Sequence, residues 1–463
     1  MKKIIIVFFA AALLFTIPAQ AMDWAPPFTI INPYADVDWT AFGQYNAALH
    51  VHTNHSDGNA TLADTVRHHY NLGFDVLAIT DHNVLVYRWD EPAGLSLQHR
   101  ITSFRRFFSR RESLTVQEKE AIHAGTYTGP FPAPFAELRR QQQNGMISLT
   151  NTNEQSHVSH INTFWATFNN TRRDTVESVL RQTQQLGGVA ILNHPGRYTG
   201  GGRDGQQGAE ASNNPAAIER YVNWFLEFDV ALGMEIFNRL DRETRSERIL
   251  WDNLLMRLMP YNRPIWGFSN DDSHSLNCVG YNWNVLLLPV LTEDNVRTAM
   301  ETGAFYAVTR VARREGVNAN QPDRASDDTL FLLEQPTPRI TNITVGEDGW
   351  YITIAGENYD RIEWIVDGQV LHTGNTFSVL SYRGDIRHNY VRAQLVSETG
   401  IAMTQPFGIW AYGTYPDARP VVMTVDMFWI SMMWWQFALI GAGLVVVATA
   451  GLIFIIMQRK KRK

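Results

Sequence analysis

The chain has 463 residues, 45% of them hydrophobic, and its 40 Lys and Arg against 46 Asp and Glu give a net charge of −6. This is the composition of a globular protein and gives no general affinity for polyanions. Cys278 is the only cysteine, which excludes an intrachain disulfide and leaves stability to the core.

Met1 to Ala21 reads as a secretory signal: Lys2 and Lys3, an apolar run from Ile4 to Ile17, then Ala19-Gln20-Ala21 as a small-residue cleavage site. An uncleaved anchor is the competing reading. No cysteine stands near the cleavage site, which argues against a lipoprotein. Between this signal and the C-terminal anchor described below lie roughly 400 residues, enough for two domains.

From residue 41 to 310, strand-like runs alternate with helix-like stretches. Ala47 to Val51, Val76 to Thr80, Met146 to Leu149, Val189 to Leu192, Met234 to Phe237 and Ile265 to Phe268 are predicted strands. Thr61 to Leu72, Thr175 to Leu186, Pro215 to Glu227, Arg245 to Met259 and Thr292 to Thr302 are predicted helices. The alternation suits a βα barrel or a doubly wound sheet, and short apolar runs suit parallel strands buried on both faces. A barrel is favoured, because its strand ends converge on one face and candidate ligands follow nearly every strand.

Residues 318–328 are polar and contain Pro322, as a linker or a loop would be. From 336 to 413 the pattern changes to alternation without helices, with runs at Ile340 to Val345, Trp350 to Ala355, Ile362 to Val366, Phe377 to Leu380 and Tyr390 to Val396. That predicts a small all-β, Ig-like sandwich stacked on the barrel. Residues 428–457 are apolar apart from Ser431, Gln436 and Thr449, long enough for one transmembrane helix. Trp429, Trp434 and Trp435 mark its outer end, and the basic tail 458–463 is expected to stay in the cytoplasm. The intervening chain is thereby placed outside the cytoplasmic membrane, periplasmic or at the cell surface.

The chemistry lies at the strand ends. His50 and His52 alternate on an apolar background, so a strand would point both imidazoles to one face, and Asp57 follows in H-V-H-T-N-H-S-D. His82 follows the next run in T-D-H-N. Glu154 and His160 lie in N-E-Q-S-H-V-S-H-I-N, with His157 able to compete with His160. His194 sits in N-H-P-G-R. Asp272 and His274 lie in D-D-S-H, with Asp271 adjoining. Each alone is readily a satisfied polar residue; six histidines and three carboxylates together point to divalent metal, whose preferred ligands these are. Leaving so many polar groups clustered without metal would be costly.

The order H-x-H, S-D-G, T-D-H-N, E followed by H-I-N, N-H-P-G and D-x-H resembles the PHP (polymerase and histidinol phosphatase) family of metal-dependent phosphoesterases. The resemblance covers roughly 41–310. It implies a distorted, TIM-like βα barrel of seven strands and a trinuclear centre of Mn, Zn or Fe. The ligands it implies are His50, His52, Asp57, His82, Glu154, His160, His194, Asp272 and His274. It further implies hydrolysis of a phosphomonoester or phosphodiester, with a phosphorylated small molecule or a phosphodiester as substrate.

Arg197, three residues after His194, is placed to hold a phosphate oxygen through its fork of donors. Asp81 adjoins His82 and is expected to orient an imidazole. Glu235, in G-M-E-I-F-N, is expected to line the mouth. The excursion 84–145 carries Arg100, Arg105, Arg106, Arg110, Arg111, Arg139 and Arg140, read either as a solvated helical insertion or as a cap steering an anionic substrate. The glycine-rich stretch 199–208 is a lid or simply a loop. Two other functions compete: a surface binding protein that uses the barrel as scaffold, and a metal-dependent hydrolase of a non-phosphate bond. A specific nucleic-acid partner is not expected, because the basic tail is explained by the helix before it.

Overall fold

The computed structural model describes residues 28–90, 113–132, 144–200, 205–239, 244–310, 334–346 and 349–411, with 414, 416 and 419. The expected signal (1–21), transmembrane helix (428–457), basic tail (458–463), linker 318–328 and the seven arginines of the 84–145 excursion lie outside the described residues. Among the described residues no helix is long and apolar enough to cross a membrane.

The N-terminal strands are β1 (Phe28–Ile31), β2 (Gly43–Ala48), β3 (Val76–Leu77), β4 (Ile147–Ser148), β5 (Asn153–Gln155) and β6 (Ile161–Phe164). They continue as β7 (Val189–Leu192), β8 (Ala231–Asn238), β9 (Trp266–Asn270), β10 (Asn282–Leu288) and β11 (Phe305–Thr309). Helices at Leu62–Asn71, Val176–Gln185, Pro215–Glu227, Thr244–Leu258 and Glu293–Thr302 cover them. Local chemistry sets several of the helix starts. Thr61, Thr175 and Thr292 each accept a backbone N–H from three residues on, satisfying a donor that the first turn leaves orphaned.

The architecture is mixed α/β, and it departs from the expected single parallel barrel. β2, β3 and β4 are parallel neighbours, as are β7, β8 and β9. In contrast, β10 is antiparallel to both β2 and β11, and β6 is antiparallel to both β5 and β7. The strands fall into two sheets, one of them running β5-β6-β7-β8-β9. Between the sheets stand isolated bridges, Val51 with Ser273, His82 with Glu154 and Val86 with Thr152, so the backbone ladder is not continuous. The expected strand over residues 47–51 also ends sooner. Ladder pairing stops at Ala48, and Val51 instead gives its carbonyl to Thr80 N–H and its N–H to the Thr80 hydroxyl. His50 and His52 therefore lie just beyond the strand rather than within it.

The C-terminal strands are β12 (Arg339–Val345), β13 (Tyr351–Glu357), β14 (Arg361–Val366), β15 (Gln369–Thr373), β16 (Thr376–Ser378), β17 (Tyr390–Ser397), β18 (Gly400–Met403) and β19 (Phe407–Ala411). β12, β13 and β16 form a sheet of their own. The others do not form a separate layer, because β18 pairs with β11 through Ala307–Met403, Val308–Ala402 and Thr309–Ile401. One sheet thus runs from β4 through β2, β10 and β11 into β18, β17 and β19, and β1 closes its far edge against β19. The apolar core is shared in the same way: Tyr390, Ile401, Met403 and Trp410 pack in one cluster with Leu192, Met234, Ile236 and Leu254.

A buried ion pair fastens this junction. Arg392 donates Nε and Nη2 to the two carboxylate oxygens of Asp252 at 2.9 and 2.7 Å, and Tyr390 adds its hydroxyl at 3.1 Å. Truncating Arg392 to Ala leaves Asp252 buried without its bidentate partner. The expected cost is about 3–5 kcal/mol of unfolding free energy, measured by chemical denaturation; a loss below about 1 kcal/mol would mean that the junction does not depend on the pair.

A second expectation concerns pH. His69 is buried, holds the Thr65 carbonyl through Nδ1 at 2.8 Å, and is pushed by burial from 6.5 down to about 3. The unfolded chain binds a proton at this residue near 6.5 and the folded chain does not until about 3, so stability falls as pH drops through that window. His69→Gln is expected to flatten the acid limb of a stability–pH curve by up to about 1.4 kcal/mol per pH unit.

Candidate metal centre

The site is built where the two sheets face each other. After β2 the chain carries His50 and His52 past Val51, with His52 N–H held by the Ser273 carbonyl at 2.9 Å. It then turns tightly. Ser56 and Gly58 both donate to the Thr53 carbonyl, and a Cβ at Gly58 would lie 2.9 Å from the backbone of His52, so the turn needs a glycine there. This fold-back returns the Asp57 carboxylate to the site, with Oδ2 3.4 Å from His82 Nε2 and 3.2 Å from His274 Nε2.

Glu154 comes from β5, whose hairpin with β6 sets its side chain in the middle of the site. It has no solvent exposure. His82 Nδ1 lies 2.5 Å from Oε2, while His160 Nδ1 and His50 Nε2 lie 3.0 and 3.2 Å from Oε1. His82 and Glu154 are bridged backbone to backbone, so the 72 positions between them in sequence collapse to adjacent strands. Asp272, just after β9, places Oδ1 3.3 Å from His50 Nε2 and 3.1 Å from His52 Nε2. His194 closes the group, its Nε2 3.8 Å from Glu154 Oε1 and from Asp272 Oδ2.

All nine residues read from the sequence as ligands are therefore brought together. They form four overlapping donor groups: His52, Asp57, His82 and His274; His50, Glu154 and His194; His50, His52 and Asp272; and His82, Glu154 and His160. Within each group the ligand atoms lie inside 4.8 Å of one another. The members of each open pair are placed differently. His157 is exposed on the hairpin turn whereas His160 faces the cluster. Asp271 turns away, accepting the backbone N–H groups of Gly280, Tyr281 and Asn282, and burial raises it to about 7.

Within the cluster, carboxylates and imidazoles set one another's charge. Burial opposes ionisation of Glu154, yet the nearby imidazoles of His50, His160 and His82 outweigh it and hold the carboxyl well below its ordinary range. Asp272 behaves alike: burial is outweighed by His50 and His52. His50 is the counterpart; burial alone would lower it, but Asp272, Glu235 and Glu154 raise it. Burial, reinforced by the Arg197 charge, keeps His194 well below 6.5 and hence neutral, the state a ligand needs. Oε2 of Glu154, Nδ1 of His160 and Oδ2 of Asp272 are buried and make no aligned hydrogen bond, each facing a charged neighbour, His82, Glu154 and Arg239 respectively. Imidazole and carboxylate donors converging in this way fit borderline divalent cations.

Glu235 was expected to line the mouth, but it lies fully buried beneath the cluster. Its Oε1 is 2.7 Å from His50 Nδ1 and accepts Asn270 Nδ2 at 2.8 Å, while Oε2 accepts His194 N–H at 2.8 Å and Asn238 Nδ2 at 2.7 Å. It thus assigns the proton to His50 Nδ1 and leaves Nε2 as a ligand atom. His274 Nδ1 lies 2.8 Å from the Asp272 carbonyl. An acidic residue inside the fully buried run Ala231–Asn238 is a signal that sequence reading had available.

The two residues expected to act beside the ligands differ. Asp81 accepts Thr53 N–H at 2.8 Å, the Thr53 hydroxyl at 2.6 Å and the Ser56 hydroxyl, so it secures the turn after His52 rather than bonding an imidazole itself. Its influence on His52 passes through Ser56, whose Oγ is 3.5 Å from Nδ1. Arg197 lies in the short turn after His194, half-buried, with Nη2 3.4 Å from Asn238 Oδ1. Sequence reading missed Arg239, whose Nε approaches Asp272 Oδ2 to 2.6 Å and whose Nη2 lies 2.9 Å from His274 Nδ1.

Residues 48–120 match the PHP domain family model. That span contains His50, His52, Asp57, Asp81 and His82. Among solved structures, a match is a two-domain protein containing predicted PHP-like metal-dependent phosphoesterase from Bacteroides vulgatus ATCC 8482. Its identity is 13% over 80% of this chain and 88% of that chain, with a TM-score of 0.38. None of the curated proteins matches the chain.

Removing the carboxylate that fixes His50 tests the arrangement. Glu235→Ala is expected to weaken divalent-metal binding by about 10–100-fold, measured by titration of the metal-stripped protein. Unchanged affinity would show that His50 needs no such orientation.

Proposed function

We propose that this chain is a metal-dependent phosphoesterase that hydrolyses a phosphomonoester or phosphodiester at a trinuclear centre. The observation that carries the reading is the convergence of nine imidazole and carboxylate side chains into four overlapping donor groups around buried Glu154. The PHP match over residues 48–120 supports the same reaction class. On this reading the two sheets are the interrupted wall of a distorted seven-stranded barrel. The expected signal and C-terminal anchor place the centre outside the cytoplasmic membrane, with one helix as tether and the basic tail inside.

The nine side chains would hold Mn, Zn or Fe. Bound divalent cations lower the pKa of water and neutralise charge on phosphoryl oxygens. The chain's own residues prepare for this. Glu235 holds His50 through Nδ1, leaving Nε2 toward the cluster. Asp81 and Ser56 anchor the turn that aims His52 and Asp57. Arg197, beside His194, and Arg239, beside Asp272, offer planar donor forks to phosphate oxygens. Burial of Glu154, His50 and Asp272 excludes bulk water and strengthens every charge interaction among them. The full donor set also disfavours the scaffold reading, which would be consistent with lost ligands.

The test is the full chain purified in detergent, loaded with Mn, Zn or Fe, and assayed on p-nitrophenyl phosphate and bis(p-nitrophenyl) phosphate, with metal content determined in parallel. Hydrolysis is expected, and His194→Ala should lower it by more than about 100-fold. A protein that takes up no metal, or that takes it up and cleaves neither ester, would sink the proposal. Preference for one ester selects the subclass.

A further inference from the structure

Among the described residues, the far edge of β9 is completed by side chains instead of a strand. β8 pairs with one edge of β9, and the residues facing the other way are Gly267 and Ser269. At Gly267 the Gln405 carboxamide does the work of a neighbouring strand: Oε1 accepts Gly267 N–H at 2.8 Å and Nε2 donates to the Gly267 carbonyl at 3.0 Å. At Ser269 the Asn284 carboxamide does the same, Oδ1 accepting Ser269 N–H at 2.9 Å and Nδ2 donating to its carbonyl at 2.8 Å. Both amides are fully buried. Two primary carboxamides, each donor and acceptor at once, thus span the gap between the sheets where the backbone ladder stops.

Gln405 belongs to the C-terminal strands, in the connection between β18 and β19, while everything it touches on β9 leads to the site. Its own backbone is fixed: its N–H donates to the Tyr34 hydroxyl at 2.8 Å, which donates to the Phe305 carbonyl at 3.0 Å. From the clasped strand the linkage continues. Asn284 also reaches Asn270 Oδ1 at 3.1 Å, Asn270 donates to Glu235, and Glu235 holds His50. Asp272 and His274 follow directly on the strand.

We infer that Gln405 is a positioning residue for the metal centre, through which the C-terminal β module holds β9, and with it Asp272, His274 and the Glu235–His50 pair, in ligating register. This rests on the reading of the cluster as a metal site. A carboxamide suits the task because a strand edge presents one donor and one acceptor per exposed residue, and both must be met when buried. The module is then part of the enzyme's working centre rather than an appended domain.

The test compares the full chain in detergent with Gln405→Met, which keeps side-chain length but loses both hydrogen bonds, and with Arg392→Met, which removes the ion pair at the same junction. Divalent Mn affinity and stoichiometry are measured beside thermal stability. The expected result is that both variants lose stability but only Gln405→Met binds Mn more weakly, by about tenfold. If Gln405→Met does not accumulate as folded protein, Gln405→Leu, which also lacks both hydrogen bonds, carries the same comparison. Wild-type affinity in the folded Gln405 variant, or an equal loss in both variants, overturns the inference while leaving the metal centre intact. A wild-type chain that binds no Mn, Zn or Fe overturns the metal reading and this assignment with it.

Discussion

A carboxylate with no solvent exposure, Glu154, is approached by nitrogens of five histidines: His82 at 2.5 Å, His160 at 3.0 Å, His50 at 3.2 Å, His52 at 3.6 Å and His194 at 3.8 Å. An ionised group so placed is tolerable only if positive charge or donors surround it on all sides. Much of the local architecture follows from supplying them. The β5–β6 hairpin delivers Glu154 and His160 from one turn, and the bridge from His82 to Glu154 joins the sheets at the point where the charge lies. Within one cluster the neighbouring carboxylates Asp272, Glu235 and Glu154 raise His50 against its burial, while burial and the Arg197 charge lower His194.

Bringing ligands from so many strand ends to one point requires abrupt turns, and the backbone records it. His194 and Asp272 have φ of 29° and 48°, and Asn83 and Arg239, each next to or beside a ligand, have 50° and 53°. Positive φ is unfavourable for side chains of this kind unless surrounding contacts enforce it. They do so here. The His194 N–H is held by Glu235, the Asn83 side chain pairs with Ser156, and the Gly196 N–H is held by Glu247 at 2.6 Å. The buried carboxylates therefore fall into two sets: Glu154 and Asp272 face the cluster, while Glu235 and Glu247 fasten the backbone beside it.

Much of this was legible in the chain. Val189–Leu192 and Pro215–Glu227 form over the bounds their apolar pattern predicts, because a short apolar run between turn residues and a proline at a helix start leave few alternatives. The nine-residue cluster was legible because histidines and carboxylates after strand-like runs are conspicuous. Other features were not. β5, Asn-Glu-Gln, is polar and wholly buried, so no hydropathy pattern marks it. The H-V-H motif imitated a strand, yet its geometry comes from Thr80 and Ser273, residues distant in sequence. Asp81 read as a partner of His82 by adjacency, whereas its carboxylate points to the turn at Thr53 and Ser56.

Least legible was the dependence of one half of the chain on the other. The change from helix–strand alternation to pure strand alternation near residue 336 suggests a boundary, and in composition it is one. Physically the two halves share a sheet through β11 and β18, a core cluster and the buried Arg392–Asp252 pair. The reason is the gap beside β9. Among the described residues β9 pairs with β8 along one edge, so Gly267 and Ser269 turn backbone donors and acceptors to the interior on the other. Buried groups of that kind must be satisfied, and the amides of Asn284 and Gln405 reach them from opposite sides of the apparent boundary. The C-terminal strands are thereby joined to the strand that leads directly into Asp272 and His274.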